Sequence, residues 1–318
     1  MKGNDQTNVL AGFIAGTAIT ILLHEIIYKS KRKHNRKILS SNEEERNPQS
    51  IQSKAKILLV GCGGVGSQTA IMLAKSKSIS FLRIIDFDQI TLSSLNRHAC
   101  ATLKDVGHSK VQVLKQCIQN EINNTCYCYN IEDKNEMYRY ENREELLQLP
   151  DGSYDWDIVI DAIDDVDTKC VLLTECYNRN LKVISCMGAG GKSDPTRIHI
   201  SDLKVASRDP LAAKIRARLK KGGVNIQDWE NLNVVYSSEK TVVKLAELSE
   251  EQKKGGEGDG ERKKYGAVDG MRVRVIPVLG TMPAIMGQSI ASWVVSQIEG
   301  RPFWPNVGER VGREVRHK

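Results

Sequence analysis

Apolar and polar positions along this chain of 318 residues fall into three regimes. The first is VLAGFIAGTAITILLHEIIY at positions 9–28, twenty residues with one formal charge, Glu25. At about 1.5 Å per residue such a helix spans roughly 30 Å, enough to cross a bilayer. The basic run KSKRKHNRK follows it, so the positive-inside rule expects the C-terminal side in the cytosol. Because the charges follow the apolar run and no small-residue cleavage site ends it, the segment reads as an anchor, with a cleaved signal and a buried or interfacial helix as the alternatives. The second regime, completing a basic and polar stretch over 29–54, holds three consecutive Glu and one Pro and reads as a tether.

From residue 55 the third regime begins, short apolar runs alternating with helical periodicity. KILLV (56–60) predicts a strand, GCGGVG (61–66) a glycine turn, and SQTAIMLAKS a helix with Ala70, Leu73 and Ala74 on one face. Further strands are expected at 81–85, 125–129, 157–160 and 182–186, with helices at 110–122 and 167–178. Strands alternating with helices imply an α/β, doubly wound, mainly parallel sheet, a Rossmann-like domain over 55–318 with ligands at the carboxyl ends of its strands. Beyond Gly188 the pattern loosens. Asp209 followed by Pro210 marks a helix start, and that helix is expected to reach Lys221 with Leu211, Ile215 and Leu219 inward. The charged, glycine-rich stretch 247–264 lacks periodicity and reads as a disordered insertion. A strand over 272–278 and an apolar core helix over 279–298 close the pattern.

Charge changes this picture when it is divided. The net +7 comprises +5 in residues 1–37, +6 in Lys204–Lys221 and −4 over the remainder. The first share belongs to the membrane flank. The second is a candidate contact for nucleic-acid phosphates through Lys214, Arg216, Arg218, Lys220 and Lys221, with a plain solvated helix face as the alternative. Eight cysteines lie scattered with no C-x-x-C pair, as expected of reduced thiols in a cytosol-facing domain.

The candidate chemistry lies at strand ends. Gly61, Gly63, Gly64 and Gly66 follow a strand, and Asp86 ends the next one twenty residues on, the pattern that seats a nucleotide's phosphates on a helix N-terminus and its ribose on a carboxylate. Asn96, Arg97 and Lys110 add polar and cationic groups, and Asp161 and Asp164 follow the strand DIVI. Hydride transfer from a dinucleotide has no need of an Arg, a Lys and paired carboxylates at one crevice. ATP cleavage does: Arg97 and Lys110 would neutralise the leaving pyrophosphate and Asp164 would hold Mg²⁺. Singly, Arg97 and Lys110 could be surface charge and Asp164 a helix cap.

The runs GCGGVGS, IIDFD, LNRHAC, VGHSK and DAIDDVDTK resemble the adenylating domain of the ThiF and MoeB group, related to ubiquitin-activating enzymes. The runs VISCMGAGGKSDPTRI, SDLKVASRDPLAAKIRARLKK and RVRVIPVLGTMPAIMG are similar to one branch, the membrane-anchored eukaryotic dehydratases of threonylcarbamoyladenosine in tRNA. The resemblance covers nearly all of 55–298. It implies that ATP adenylates the threonyl carboxylate of the modified base, that the modification closes on the activated carboxyl, and that AMP leaves. It assigns the ribose to Asp86, the phosphates to Asn96, Arg97 and Lys110, the metal to Asp164 and tRNA to the basic segment. It further implies a homodimer, and the weak apolar span suits the mitochondrial outer membrane with the catalytic domain facing the cytosol. In two respects the sequence departs from the family: the glycine-rich insertion near Gly255 is expanded, and members usually carry an Arg in a short aromatic-containing element before the first strand that reaches ATP in the partner subunit. Here Arg46 is the nearest candidate and has no aromatic neighbours. The rival readings are an activating enzyme for a ubiquitin-like or sulfur-carrier protein, an NAD-dependent oxidoreductase, and an inactive membrane-tethered RNA binder.

Overall fold

The computed structural model describes residues 55–122, 127–128, 130–240 and 277–302. The expected anchor (9–28), the tether with Arg46, the insertion at 247–264 and most of the strand expected at 272–278 lie outside the described residues.

Among the described residues seven strands form one sheet: β1 (Ala55–Val60), β2 (Ile79–Ile85), β3 (Asn130–Lys134), β4 (Ile158–Asp161), β5 (Val183–Cys186), β6 (Ile198–Asp202) and β7 (Leu232–Ser237). Their order across the sheet is β3-β2-β1-β4-β5-β7-β6. All neighbours pair in parallel except β6, which lies antiparallel to β7 at the edge. The helices are α1 (Gly64–Ala74), α2 (Lys110–Ile122), the short α3 (Arg143–Leu147), α4 (Val166–Asn178), α5 (Pro210–Lys221) and α6 (Thr281–Ile298). The doubly wound, mainly parallel α/β sheet expected from the alternation is present.

The central strands read as continuous apolar runs because both faces of the sheet are covered. Within β1, Leu58 and Val60 face one core with Leu172 and Cys176 of α4 and Ile215 and Leu219 of α5. Ile57 and Leu59 face the other, with Leu73 of α1, Leu114 of α2 and Ile290 and Trp293 of α6. Alternation across a strand thus divides one apolar run between two cores. Close contact between α1 and α6 depends on Gly287, where a Cβ would stand 2.6 Å from the carbonyl oxygen of Val65. Thr69 Oγ1 donates to the Gly287 carbonyl across the same contact at 3.1 Å. The helix expected over 279–298 is therefore a core helix. Among the described residues no helix is long and apolar enough to cross a membrane.

Three details differ from the sequence expectation. The strand beside β2 occupies Asn130–Lys134, and the described residues at 127–128 lie outside it; with Ile131 its one buried apolar residue, an edge strand of this kind has no hydrophobic signature. The antiparallel pair β6 and β7 has no counterpart in the expected pattern, since β6 offers only Ile198 and Ile200 in alternation. Helix α5 buries Ala212 together with Ile215 and Leu219, while Leu211 is only partly covered.

Strand order reverses between β1 and β4, since β2 and β3 continue on one side of β1 and β4 and β5 on the other. In such a sheet the crevice beyond the carboxyl ends at the reversal is where ligands bind. Both the glycine turn and the acidic turn 161–167 open from that point.

Candidate adenylation site

The glycine turn is built by close backbone approach. Gly61 has φ of +97°, and a Cβ there would lie 2.5 Å from the carbonyl oxygen of Ala162 in the turn after β4. A Cβ on Gly66 would fall 1.8 Å from the Gly61 carbonyl oxygen. Above Gly63 a Cβ would meet nothing within 4 Å, so the turn is packed beneath and open above. Gly63 is the N-cap of α1, and the positive end of that helix faces the opening with no side chain closing it. The stem of Arg97 lies over Gly64, 3.0 Å from where its Cβ would be.

Asp86, just beyond β2, is tied to this turn: its carboxylate accepts from Cys62 N at 2.6 Å and from Asp88 N at 2.8 Å. Burial pushes its pKa up against the opposing pull of Lys110. Lys110 opens α2 and reaches Asp88 Oδ2 at 2.6 Å. Burial works to discharge it, yet Asp86 and Asp88 outweigh that cost and hold its pKa above the usual lysine value. Asp88 is a site residue that sequence reasoning missed; its position two residues after Asp86 at a strand end was the available signal.

Asn96 and Arg97 sit on the excursion between β2 and α2. Asn96 Nδ2 donates to the Val278 carbonyl at 3.1 Å, and a Cβ on Gly280 would meet the Asn96 carbonyl at 2.0 Å. The LNRH loop therefore docks on the entry to α6, joining motifs some 180 residues apart. The Arg97 guanidinium donates to the Ser93 carbonyl and to Asn96 Oδ1. Its pKa is lowered by burial, with the Asp164 charge opposing.

Four carboxylates lie within seven residues between the last residue of β4 and the first turn of α4: Asp161, Asp164, Asp165 and Asp167. Asp161 is fully buried and paired with Lys169 Nζ at 2.7 Å. Asp165, not Asp164, caps α4, accepting from Thr168 N at 2.7 Å. Asp167 pairs with Arg218 Nη2 at 2.9 Å. Asp164 is exposed and has no hydrogen bond or ion pair among the described residues, while its charge acts on Arg97 and Lys110. The helix-cap reading of Asp164 is thereby removed.

The basic helix borders this turn through Arg218. Asp209 caps α5, accepting from Leu211 N at 2.9 Å and Ala212 N at 3.0 Å. It is also held by buried Lys192, whose Nζ reaches Asp209 Oδ2 and the Ser237 carbonyl, both at 2.8 Å. Since Ser237 ends β7 and Lys192 follows β5, the start of α5 is fixed to the same edge of the sheet as the crevice. Lys214, Arg218, Lys220 and Lys221 are exposed. Arg216 departs from the sequence expectation: its Nη1 donates to the carbonyls of Leu203 at 2.9 Å and Ala206 at 2.7 Å. Those bonds fasten the chain before the helix and turn Arg216 away from the exposed cationic set.

No activated thiol accompanies the crevice among Cys62, Cys100, Cys170, Cys176 and Cys186. Burial is the main cause that raises the pKa of Cys62, Cys170, Cys176 and Cys186, and a hydrogen bond with Cys117 leads for Cys100. Each stays protonated at neutral pH.

The ThiF family profile matches residues 34–310. The chain belongs to the ThiF family. Among relatives of this ThiF-family chain is tRNA threonylcarbamoyladenosine dehydratase 2 of Saccharomyces cerevisiae, 40% identical over 279 residues, which make up 86% of this chain and 59% of that protein. The chain spans only 59% and 54% of the length of the two yeast dehydratases it matches. The crystal structure of E. coli tRNA N6-threonylcarbamoyladenosine dehydratase, TcdA, in complex with AMP superposes with a TM-score of 0.61 at 28% identity, covering 78% of this chain and 87% of that one. The complex of the same protein with ATP gives 0.60 at 27% identity, covering 78% and 86%. The mainly parallel sheet described above is thus that of a ThiF-family domain.

Proposed function

We propose that this chain is an ATP-dependent dehydratase that cyclises N6-threonylcarbamoyladenosine in tRNA by adenylating its carboxylate. One observation carries the reading. Of the four carboxylates between Asp161 and Asp167, three are paired or cap a helix, and among the described residues Asp164 alone has no hydrogen-bond or ion-pair partner while its charge acts on Arg97 and Lys110. The dehydratases among the relatives, and the AMP and ATP complexes of the E. coli protein, support the substrate and the nucleotide.

The residues fit ATP. The space above Gly63 and the open N-terminus of α1 suit a phosphate chain. Asp86, fastened by two backbone amides, retains acceptor capacity toward ribose hydroxyls. Arg97 and Lys110 hold positive charge where pyrophosphate would depart, and Asn96 sets the Arg97 fork. In the reaction a carboxylate oxygen of the substrate attacks the α-phosphorus and pyrophosphate leaves; ring closure on the acyl carbon then expels AMP, with net loss of water. The attacking group belongs to the substrate, consistent with the raised thiol pKa of Cys62, through burial, and of Cys100, through its hydrogen bond with Cys117. This favours the reading over transfer of an activated carrier protein to a cysteine.

The residues also fit Mg²⁺. No cluster of three or more metal-binding side chains occurs among the described residues, and a single free carboxylate suits a cation that keeps its water and shares phosphate oxygens. Asp164 would hold it, and when bound it would neutralise phosphate charge. The tRNA backbone would run along Lys214, Arg218, Lys220 and Lys221, a surface joined to the crevice by the Arg218–Asp167 pair. Residues 9–28 would anchor the chain in the mitochondrial outer membrane with the catalytic domain in the cytosol, a reading supported by the apolar run and its basic flank. A homodimer completes the proposal; Leu92 and Leu103, 69% and 74% exposed on the excursion that carries Arg97, are surfaces a second copy would cover.

The test is incubation of the full chain, with and without Lys110→Ala, with ATP, Mg²⁺ and threonylcarbamoylated tRNA, followed by nucleoside analysis. A cyclic nucleoside with stoichiometric AMP is expected from the native chain and its loss from the variant; absence of both products at high enzyme would overturn the proposal.

A further inference from the structure

Lys169 is the largest fully buried side chain among the described residues, and an ammonium with no access to water demands a reason. Its Nζ reaches from α4 to three acceptors: Asp161 Oδ2 at 2.7 Å, Ser185 Oγ at 3.3 Å and the Cys186 carbonyl at 3.0 Å. Ser185 Oγ donates in turn to Asp161 Oδ2 at 2.6 Å. All three acceptors lie at the carboxyl ends of β4 and β5, directly beneath the acidic turn. Replacing a buried pair by apolar side chains is often neutral or stabilising, so stability alone is a weak reason to keep one.

What the pair holds is the backbone that carries Asp164. The second oxygen of Asp161 accepts from Ile163 N at 3.1 Å, folding the chain back just after the strand. Ala162 N is bound to the Val60 carbonyl at 2.8 Å. On the far side of Asp164, Asp165 is fixed as the cap of α4. Asp164 is therefore a free side chain on a backbone anchored at both neighbours, and the Ile163 anchor depends on the orientation of Asp161. Lys169 also offsets the charge of Asp161 at the end of β4.

We propose that Lys169 is a positioning residue for ATP and Mg²⁺ binding, acting through Asp161 on the placement of Asp164. This rests on the adenylation reading above, in the part that concerns nucleotide and metal and not the identity of the acyl substrate.

The test is a thermodynamic cycle on the full chain: native protein, Lys169→Met, Asp164→Ala and the double variant, each titrated calorimetrically with ATP in the presence and absence of Mg²⁺. In the native background Lys169→Met is expected to reduce the Mg²⁺-dependent gain in ATP affinity by roughly tenfold, and in the Asp164→Ala background by less than about twofold, as coupled residues should. Equal effects in both backgrounds would overturn the inference and leave the site reading intact. Absence of any Mg²⁺-dependent, Asp164-dependent gain in the native protein would instead overturn the assignment of Asp164, and the inference with it. Should Lys169→Met fail to fold, Ser185→Ala removes one donor to Asp161 without uncovering a charge. It is expected to give a smaller loss, about threefold, with the same dependence on Asp164; additivity there overturns the inference equally.

Discussion

The acidic turn at 161–167 and the cationic stretch at 204–221 touch through one ion pair, and both carry more charge than they present to solvent. On the turn, burial, capping and pairing engage three of four carboxylates and leave Asp164. On the stretch the outcome is reversed: Arg216 is bound to two carbonyls, Lys204 pairs with Asp202 and bonds the Gln227 carbonyl, and most of the remaining cations stay exposed. A turn with one free charge is a means of placing a single group. A helix with several is a means of attracting a polyanion over an extended surface, where no single contact is decisive. The difference follows from position, since the turn sits at the buried reversal of the sheet and the helix has one face in water.

The largest expected effect is on the buried pair. Lys169→Met leaves Asp161 charged and unpaired in the core and should cost about 3–5 kcal/mol of stability in chemical denaturation. Adding Asp161→Asn should recover much of that loss; if it does not, the pair is not what the substitution disrupts. Next is Asp164→Ala, expected to lower the rate of AMP release about 100-fold while leaving stability within about 0.5 kcal/mol, as befits an exposed residue with no partner. A matched loss of stability would place Asp164 among the structural carboxylates and erase the contrast within the turn.

On the helix the effects are smaller and of two kinds. Arg216→Ala should destabilise by about 1–3 kcal/mol through the stranded Leu203 and Ala206 carbonyls, with no change in the salt dependence of tRNA binding. Charge reversal of Lys214 and Arg218 together should reduce the slope of log affinity against log salt by about 1.5 and spare ATP affinity; an unchanged slope would remove α5 from the tRNA path. The smallest effect is that of Arg218→Ala on folding, below about 0.5 kcal/mol, because its pair with Asp167 is exposed on both sides.

Much of this fold is legible in the sequence. The strands at β1, β4 and β5 announce themselves as short apolar runs because each is buried on both faces. The start of α5 is written in adjacent residues, Asp209 as its N-cap and Pro210 at its first helical position. Glycine spacing after β1 and the carboxylate at the end of β2 located the crevice. Less legible were the edge elements, β3 with one buried apolar residue and the antiparallel β6, where a strand is held by its neighbour rather than by its own pattern. The same limit applied to the site. Asp88 as the partner of Lys110, Lys169 beneath the turn, and the inward Arg216 all depend on groups brought near by folding.

The sequence alone determined the alternation of elements, the family, the glycine turn and the division of charge between an N-terminal flank and one helix. These are set by periods and local propensities that each segment carries with it. Tertiary structure alone decided which of four aspartates is free, which of seven cations face water, and which lysine lies dry in the core. A charged side chain's role is set by whether its hydrogen-bond partners come from water or from groups that folding brings beside it, here 8 to 22 positions away, and nothing in its immediate neighbours records that choice.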